Sequence, residues 1–351
     1  MKDNKLCKLC KDSMASSEKS HIFSHFFIKS MLNPIGNTKR GIGRSFQISG
    51  NSGSKTFFER NVSINDFERL FENQELTEGQ LMVLKMDPYS MSYLLCPKCE
   101  DRMSIVENYF NDNVFKKIDA SDSNFLISAM NSNNLLIRLF FLSMIWRASA
   151  AKFDNFKLPI NIEEKLRIIL NQSIGNGLTE TIDLTNTNSG SIISEGLFCC
   201  TTRFFCDITA NQITILDNGY PYYFEINEYA ICYFPNISDL TINQDIFGLE
   251  KYINTSTINI NEDRFKICLI DSSDWNQKRN LLFQFVASKF TEYLRSKFIH
   301  TYIKKFRKKP KLISVQSFMI ELISGKDTTI ALRYTDKRID SLIEKHLKND
   351  A

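Results

Sequence analysis

The chain has 351 residues, 43% of them hydrophobic, which is enough to bury a sizeable core and excludes a mini-protein held together by cross-links alone. At about 150 residues per domain, this length predicts two or three domains. The formal net charge of +4 is too small to identify a polyanionic partner, so only local clusters of charge are informative.

The first residues are polar and include two cysteines, so we expect no secretory signal peptide. The most apolar stretch, residues 135–151, is interrupted by Arg138 and Arg147, which predicts a buried helix and not a membrane span. Nine cysteines in such a chain predict a reducing, cytoplasmic location. Those without ligand spacing are predicted core residues, because their neighbours are apolar or β-branched: Cys199, Cys200, Cys206, Cys232 and Cys268.

The first half of the chain alternates loop and helix patterns. Residues 36–56 are rich in Gly, Ser and basic residues, which predicts a mobile loop. Residues 62–84 have helical spacing of apolar side chains. Residues 92–118 predict a short strand and then a helix whose apolar residues recur every three or four positions. Residues 124–172 predict buried helices.

The second half begins with short β-branched and aromatic runs over residues 178–271, which predict a β-rich section with hairpins. Large apolar residues then recur at intervals of four, which predicts one long helix that Pro310 stops. The end of that helix, 297–311, mixes basic and aromatic residues, a composition suited to nucleic-acid phosphates or simply to a solvated surface. The candidate contacts are Lys304, Lys305, Arg307 and Lys308.

Two C-x-x-C pairs, Cys7/Cys10 and Cys96/Cys99, flank His21 and His25. Zinc prefers four tetrahedral thiolate or imidazole ligands, and each such pair presents two sulfurs from one tight turn. We predict that the four cysteines hold one structural Zn²⁺, with the second pair opening a helix as in a treble clef. The alternatives are a ligand set of Cys7, Cys10, His21 and His25, or two unrelated reduced pairs.

The sequences CKLC, SHI and LLCPKCE, the last opening a helix, together resemble the zinc-bearing form of the HNH (ββα-metal) endonucleases, and more closely a set of bacterial HNH-like proteins. The similarity covers residues 5–120 and continues more loosely to 170. It implies an α+β protein with an N-terminal ββα-metal, treble-clef zinc domain over 1–120 and a helical extension over 121–177. A β-rich domain closed by the long basic helix is expected over 178–351.

The resemblance also implies a mechanism. In that family the histidine that closes the first strand is the general base that activates water, and one divalent ion stabilises the phosphate and the leaving oxygen. His21 holds that place, and Glu100 is the expected ligand for Mg²⁺ or Mn²⁺, alone or with Glu107, unless it only caps its helix.

The sequence departs from the family at two points. Active members usually carry Asp or Glu before the base, where this chain has Ser20. The asparagine of the family's name cannot be assigned to one position among Asn33, Asn37 and Asn51. A direct role for His25 is a minor alternative.

The function implied is metal-dependent cleavage of DNA rather than RNA, in bacterial defence against phage or other mobile elements. The alternatives are a catalytically silent zinc module that binds nucleic acid or a partner protein, and a ribonuclease. We expect nucleic acid as the partner and no membrane. A homo-oligomer and a partner protein from a defence system both stay open.

Overall fold

The computed structural model describes residues 5–32, 42–48, 54–58, 89–117, 126–128, 133–202, 212–216, 220–226, 228–236, 240, 242, 246–254, 256–262, 264–324 and 336–349. Over these residues the protein is a mixed α+β structure, as predicted. The predicted helix over 62–84 lies outside the described residues, as do Asn33, Asn37, Asn51 and Cys206.

The N-terminal part is built around a short antiparallel pair of strands that are far apart in sequence. β1 (Lys19–His21) pairs antiparallel with β4 (Ser90–Ser92). α1 (His25–Leu32) follows β1, and α2 (Pro97–Asn113) follows β4. Proline suits the start of α2. It lacks a backbone N–H, and the N–H groups of the first turn have no acceptor within the helix. The predicted spacing is confirmed, since α2 buries Cys99, Met103, Val106 and Phe110.

The third helix, α3 (Asn134–Ala150), lies at the centre of the protein. Every residue after Asn134 is buried, which confirms the buried helix expected for a segment that is apolar on all sides. The side chain of Asn133 caps it by accepting hydrogen bonds from two backbone N–H groups of the first turn. α3 packs against α2 and against α4 (Ile160–Ser173).

The predicted loop at 36–56 is wrong where the structure describes it. β2 (Ile42–Ile48) and β3 (Ser54–Phe58) are antiparallel strands, and β2 also pairs in parallel with β7 (Gln212–Leu216). The Gly- and Ser-rich composition gives little strand propensity, but a partner strand far along the chain supplies the backbone hydrogen bonds.

The beginning of the predicted β-rich section is helical instead. α5 (Leu178–Thr187) and α6 (Ser189–Ile193) precede the first strand of that section. Their β-branched threonines suggested strand, but in α5 the hydroxyls of Thr181, Thr185 and Thr187 donate to carbonyls of the preceding turn. These internal bonds reconcile the threonines with a helix.

The strands form one mixed eight-stranded sheet in the order β3-β2-β7-β8-β9-β6-β10-β5. β2–β7 and β6–β10 are parallel pairs and the other neighbours are antiparallel. The sheet takes strands from all three predicted segments, whose boundaries stay a prediction. The remaining strands are β5 (Leu126–Ser128), β6 (Gly196–Thr202), β8 (Tyr222–Ile226), β9 (Tyr229–Phe234) and β10 (Lys266–Ile270).

The central strands β6, β8 and β9 are buried along their whole length, because both faces of the sheet are covered. One face shares a core with α3 and the N-terminal part. The other packs against Trp275 and Leu282. The predicted core cysteines within the described residues are confirmed as buried free thiols: Cys199, Cys200, Cys232 and Cys268.

The predicted long helix is confirmed as α7 (Ser272–Phe306), whose 35 residues extend over about 52 Å. It ends before Pro310, at Arg307, whose φ of 56° is left-handed. α8 (Leu312–Ser324) and α9 (Asp336–Asn349) pack on its C-terminal half and form a separate three-helix core. Among the helices of the described residues, none combines the length and apolar character needed to cross a bilayer.

A core prediction follows from the contact between α2 and α3. The rings of Phe110 and Phe140 stack with centroids 4.1 Å apart and are fully buried. Phe140→Ala should lower the free energy of unfolding by about 3–5 kcal/mol, because a large cavity replaces the ring. Ile160→Ala, at a side chain 78% exposed, should change it by less than about 0.5 kcal/mol. Denaturant titration of both variants tests the difference, and equal effects would contradict it.

Candidate metal centre and the adjoining polar cluster

The two C-x-x-C pairs meet at one point of the structure. The four sulfur atoms of Cys7, Cys10, Cys96 and Cys99 lie within 4.8 Å of one another, and those of Cys10 and Cys96 are 4.0 Å apart. A tetrahedral ion with Zn–S bonds of about 2.3 Å requires sulfurs about 3.8 Å apart. The four cysteines are therefore close enough to bind a metal ion such as zinc.

Backbone hydrogen bonds bring the two pairs together across 86 positions of sequence. The N–H of Lys8 donates to the carbonyl of Leu94 at 3.0 Å, and the N–H of Ser16 donates to that of Leu95 at 2.8 Å. We call each C-x-x-C turn a knuckle. The first knuckle is closed by a hydrogen bond from the N–H of Lys11 to the Cys7 carbonyl at 3.0 Å. The sulfur positions are thus set by the folded backbone.

Helices α2 and α4 support the first knuckle and the cluster. Arg167 of α4 donates to the Leu9 carbonyl at 2.6 Å, and Lys11 pairs with Glu164 at 2.8 Å. Arg167 and Lys11 together lower the pKa of Glu164 to about 2. From α2, Arg102 places its guanidinium 3.8 Å from the sulfur of Cys99, where positive charge favours a thiolate.

The thiols of Cys7 and Cys99 differ in pKa. A side-chain hydrogen bond with Cys99, opposed by burial and aided by backbone hydrogen bonds, lowers the pKa of Cys7 to about 4. That same hydrogen bond, together with burial, raises the pKa of Cys99. Metal binding requires thiolates, so an ion would displace the remaining protons.

Among the described residues, His21 and His25 do not lie with Cys7 and Cys10 as a possible ligand set, whereas the two cysteine pairs lie together. Within the described part of the chain, the four cysteines are the one group of three or more His, Cys, Asp or Glu residues that could hold an ion. His21 and His25 instead lie beside each other, with ring centroids 5.6 Å apart in an edge-to-face arrangement.

A polar cluster adjoins the cysteines. His21 closes β1 opposite Ser90 and is half-buried, and Glu100 lies in the first turn of α2. Burial raises the pKa of Glu100, while the Ser20 side chain, Arg147 and His21 act in the opposite direction. One carboxylate oxygen of Glu100, Oε2, is buried without a hydrogen-bond partner among the described residues. The structure thus brings the predicted base and the predicted ligand into one neighbourhood.

Arg147 of α3 is the residue of this cluster that the sequence did not assign to it. Its side chain is 1% exposed, donates to the His21 carbonyl at 2.9 Å, and forms an ion pair with Glu107. Glu107 is therefore engaged by Arg147. The signal was present, since a cation in an apolar helix must find buried acceptors, but the sequence does not say which.

The predicted nucleic-acid contacts lie in another part of the fold. The four candidate side chains are exposed at the end of α7: Lys304, Lys305, Arg307 and Lys308. The three-helix core beside them shares no residue with the core that contains the cysteines. The structure does not bring these four residues together with His21 and Glu100.

Comparisons with protein families, with curated proteins and with solved structures found no match. The resemblance to HNH endonucleases consequently stays a hypothesis that depends on the residues themselves.

We predict one zinc ion per chain. Cys99→Ala should abolish zinc binding and lower the melting temperature, because metal binding and folding share one free energy. Cys268→Ala is the matched control, since it removes an equally buried thiol from the sheet and should leave the zinc content unchanged. Elemental analysis and thermal unfolding measure both effects, and zinc-free wild-type protein purified without chelators would refute the prediction.

Proposed function

We propose that the N-terminal part of this chain is a zinc-stabilised, metal-dependent endonuclease of the HNH-like, ββα-metal kind. The observation that carries the proposal is the arrangement around His21. This residue closes β1, β1 pairs with β4, and the second knuckle leads from β4 into α2 with Glu100 in its first turn. A base on a strand facing a ligand on the following helix is the arrangement that the family resemblance implies.

His21 is proposed as the general base. Its side chain is half-buried and so keeps contact with solvent, while its backbone is fixed on two sides. The strand pairing with Ser90 and the hydrogen bond from Arg147 to its carbonyl hold the residue in place. A positioned imidazole that takes a proton from water typically contributes a factor of about 10²–10⁴ to the rate.

Glu100 is proposed as the ligand of the catalytic ion. Its buried Oε2 lacks a hydrogen-bond partner among the described residues, and a divalent cation would compensate for this by coordinating the oxygen. Mg²⁺ or Mn²⁺ held there would neutralise charge on the scissile phosphate. Ser20 is a poor ligand, and Glu107 is engaged by Arg147, so Glu100 is the carboxylate left to provide an anchor.

Zinc has a separate role in this proposal. Four thiolates complete a tetrahedral shell and leave no position for substrate, which is typical of structural and not of catalytic zinc. The four cysteines would hold the N-terminal turn against the start of α2, while His21 and Glu100 act on the phosphodiester. DNA as the substrate and defence against phage as the setting are taken from the resemblance.

The first test concerns the base. His21→Ala should reduce cleavage of plasmid DNA by about 100-fold or more, because the base acts mainly in the transition state. Zinc content, melting temperature and DNA affinity should stay near the wild-type values. His300→Ala, an exposed histidine of α7, is the matched control and should cleave normally. Normal cleavage by a folded His21→Ala protein would remove His21 from the mechanism.

The second test concerns the ion. Glu100→Gln keeps the shape of the side chain and removes its charge, so it should weaken cleavage in Mg²⁺, and excess Mn²⁺ should partly restore it. Mg²⁺ should also raise the melting temperature of the wild-type protein but not of the variant, because a ligand that binds the folded state stabilises it. Asp101→Asn, the exposed neighbour on α2, is the control for both measurements.

The same assays separate the alternatives. Cleavage of RNA without cleavage of DNA would identify a ribonuclease. Zinc-loaded protein that binds nucleic acid but cleaves neither substrate in Mg²⁺ or Mn²⁺ would identify a silent zinc module. EDTA controls show whether any cleavage observed depends on a metal ion.

A further inference from the structure

Helix α8 is apolar on two opposite faces, one of which is buried against the described residues while the other is exposed. The covered face belongs to the three-helix core and consists of Val315, Phe318 and Leu322. The exposed face carries four aliphatic side chains that are 64%, 71%, 67% and 54% exposed respectively: Leu312, Ile313, Ile320 and Ile323.

The four exposed side chains form one continuous stripe. At about 100° per residue they fall within a single arc of about 100° on the side opposite the core. Gln316 is the polar residue inside this arc, and no charged residue lies on it. Glu321 lies outside the arc and is paired with Lys345 of α9. A contiguous apolar stripe that is exposed on a protein surface marks an interaction site.

A basic segment leads directly into α8. Residues 304–311 read KKFRKKPK, with six cationic side chains and no acidic one. All six are exposed, and within the described structure none is neutralised by an ion pair. We call 304–311 the basic segment and the four aliphatic side chains the aliphatic stripe.

The partner must account for both features. Nucleic acid would use the cations but has no use for the aliphatic stripe. A second copy of the chain would cover the stripe but leave all of the positive charges unmatched. A membrane surface with anionic headgroups matches both, because phosphates attract the cations and the acyl-chain boundary accepts the aliphatic side chains.

We propose that the basic segment and the aliphatic stripe of α8 form a peripheral docking site for an anionic phospholipid surface, with α8 lying in the plane of the interface. The prediction of no membrane contact considered segments that span a bilayer, and an interfacial helix needs none. Nucleic-acid binding by Lys304, Lys305, Arg307 and Lys308 becomes a competing outcome of the test.

The test is flotation of the full chain with vesicles of pure phosphatidylcholine and with vesicles of phosphatidylcholine mixed with phosphatidylglycerol. The protein should float with the mixed vesicles and not with the neutral ones, and binding should weaken as salt is added. Absence of binding to the mixed vesicles would overturn the proposal.

Two variants divide the site into its parts. The first variant replaces four cations with Gln, and it should weaken vesicle binding by about 100-fold or more because each cation contributes separately at the surface. The four positions are Lys304, Lys305, Arg307 and Lys308. The second variant replaces Ile313, Ile320 and Ile323 with Ser. It should weaken vesicle binding by about 10-fold or more, because the aliphatic stripe can no longer insert. Both sets change exposed side chains, so thermal unfolding should show little change in stability.

Matched controls test whether the position matters. Gln at four exposed lysines of the N-terminal half removes the same charge and should leave vesicle binding nearly intact: Lys5, Lys98, Lys152 and Lys157. Ser at the exposed Ile160 and Leu178 removes aliphatic surface elsewhere and should also have little effect. Equal losses in the controls would contradict a localised site.

The competing partners give different patterns. If the Gln variant loses DNA affinity and flattens its salt dependence while the Ser variant keeps full vesicle binding, the basic segment binds polyanions in general and the proposal is wrong. If the Ser variant instead converts a lipid-free dimer to a monomer in light scattering, the stripe is an interface between copies and the proposal is equally wrong.

Discussion

The rest of the structure depends on the hydrogen bonds and the ion pair that the two buried arginines of α3 make. A guanidinium cannot be buried without acceptors, so each one fixes the backbone that supplies them. Arg138 donates to the carbonyls of Asn259 and Glu262, at 2.9 Å in each case, beside the large sheet. Arg147 donates to the carbonyl of His21 and pairs with Glu107. One buried helix thereby fixes the N-terminal strands and the sheet to each other.

This arrangement explains how a small four-cysteine unit can be a stable part of a large protein. The four cysteines join only the N-terminal turn at Cys7–Cys10 to the start of α2, whereas stacked aromatic rings such as Phe110 and Phe140 continue the same core into α3. In the proposed nuclease, zinc sets the local geometry and α3 sets the position of His21. A structural ion and a catalytic ion would then lie in one unit with separate ligands and separate chemistry.

The long helix α7 has its own buried anchor. Lys278 forms an ion pair with Glu225 of β8 at 2.5 Å and lies 3.8 Å from the centre of the Trp275 ring. Burial lowers the pKa of Lys278, and its contacts with Glu225 oppose that shift. Such a pair is costly to break, because the remaining charge would be buried alone. The first turns of α7 are thus fixed on the sheet, and its far end carries the three-helix core with the basic segment and the aliphatic stripe.

The sequence by itself determined the features that depend on near neighbours and on ligand chemistry. The four-cysteine set, the burial of Cys199 and the long helix α7 followed from spacing, residue type and periodicity. Tertiary structure alone decided the strand pairing of residues 42–48, the acceptors of Arg147 and which face of α8 is buried against α7 and α9. Those features depend on groups far away in sequence: β2 pairs with a strand at 212–216, and Arg147 reaches a carbonyl 126 positions away. A local pattern can show that a strand or a cation needs a partner, but only the folded chain brings that partner to it.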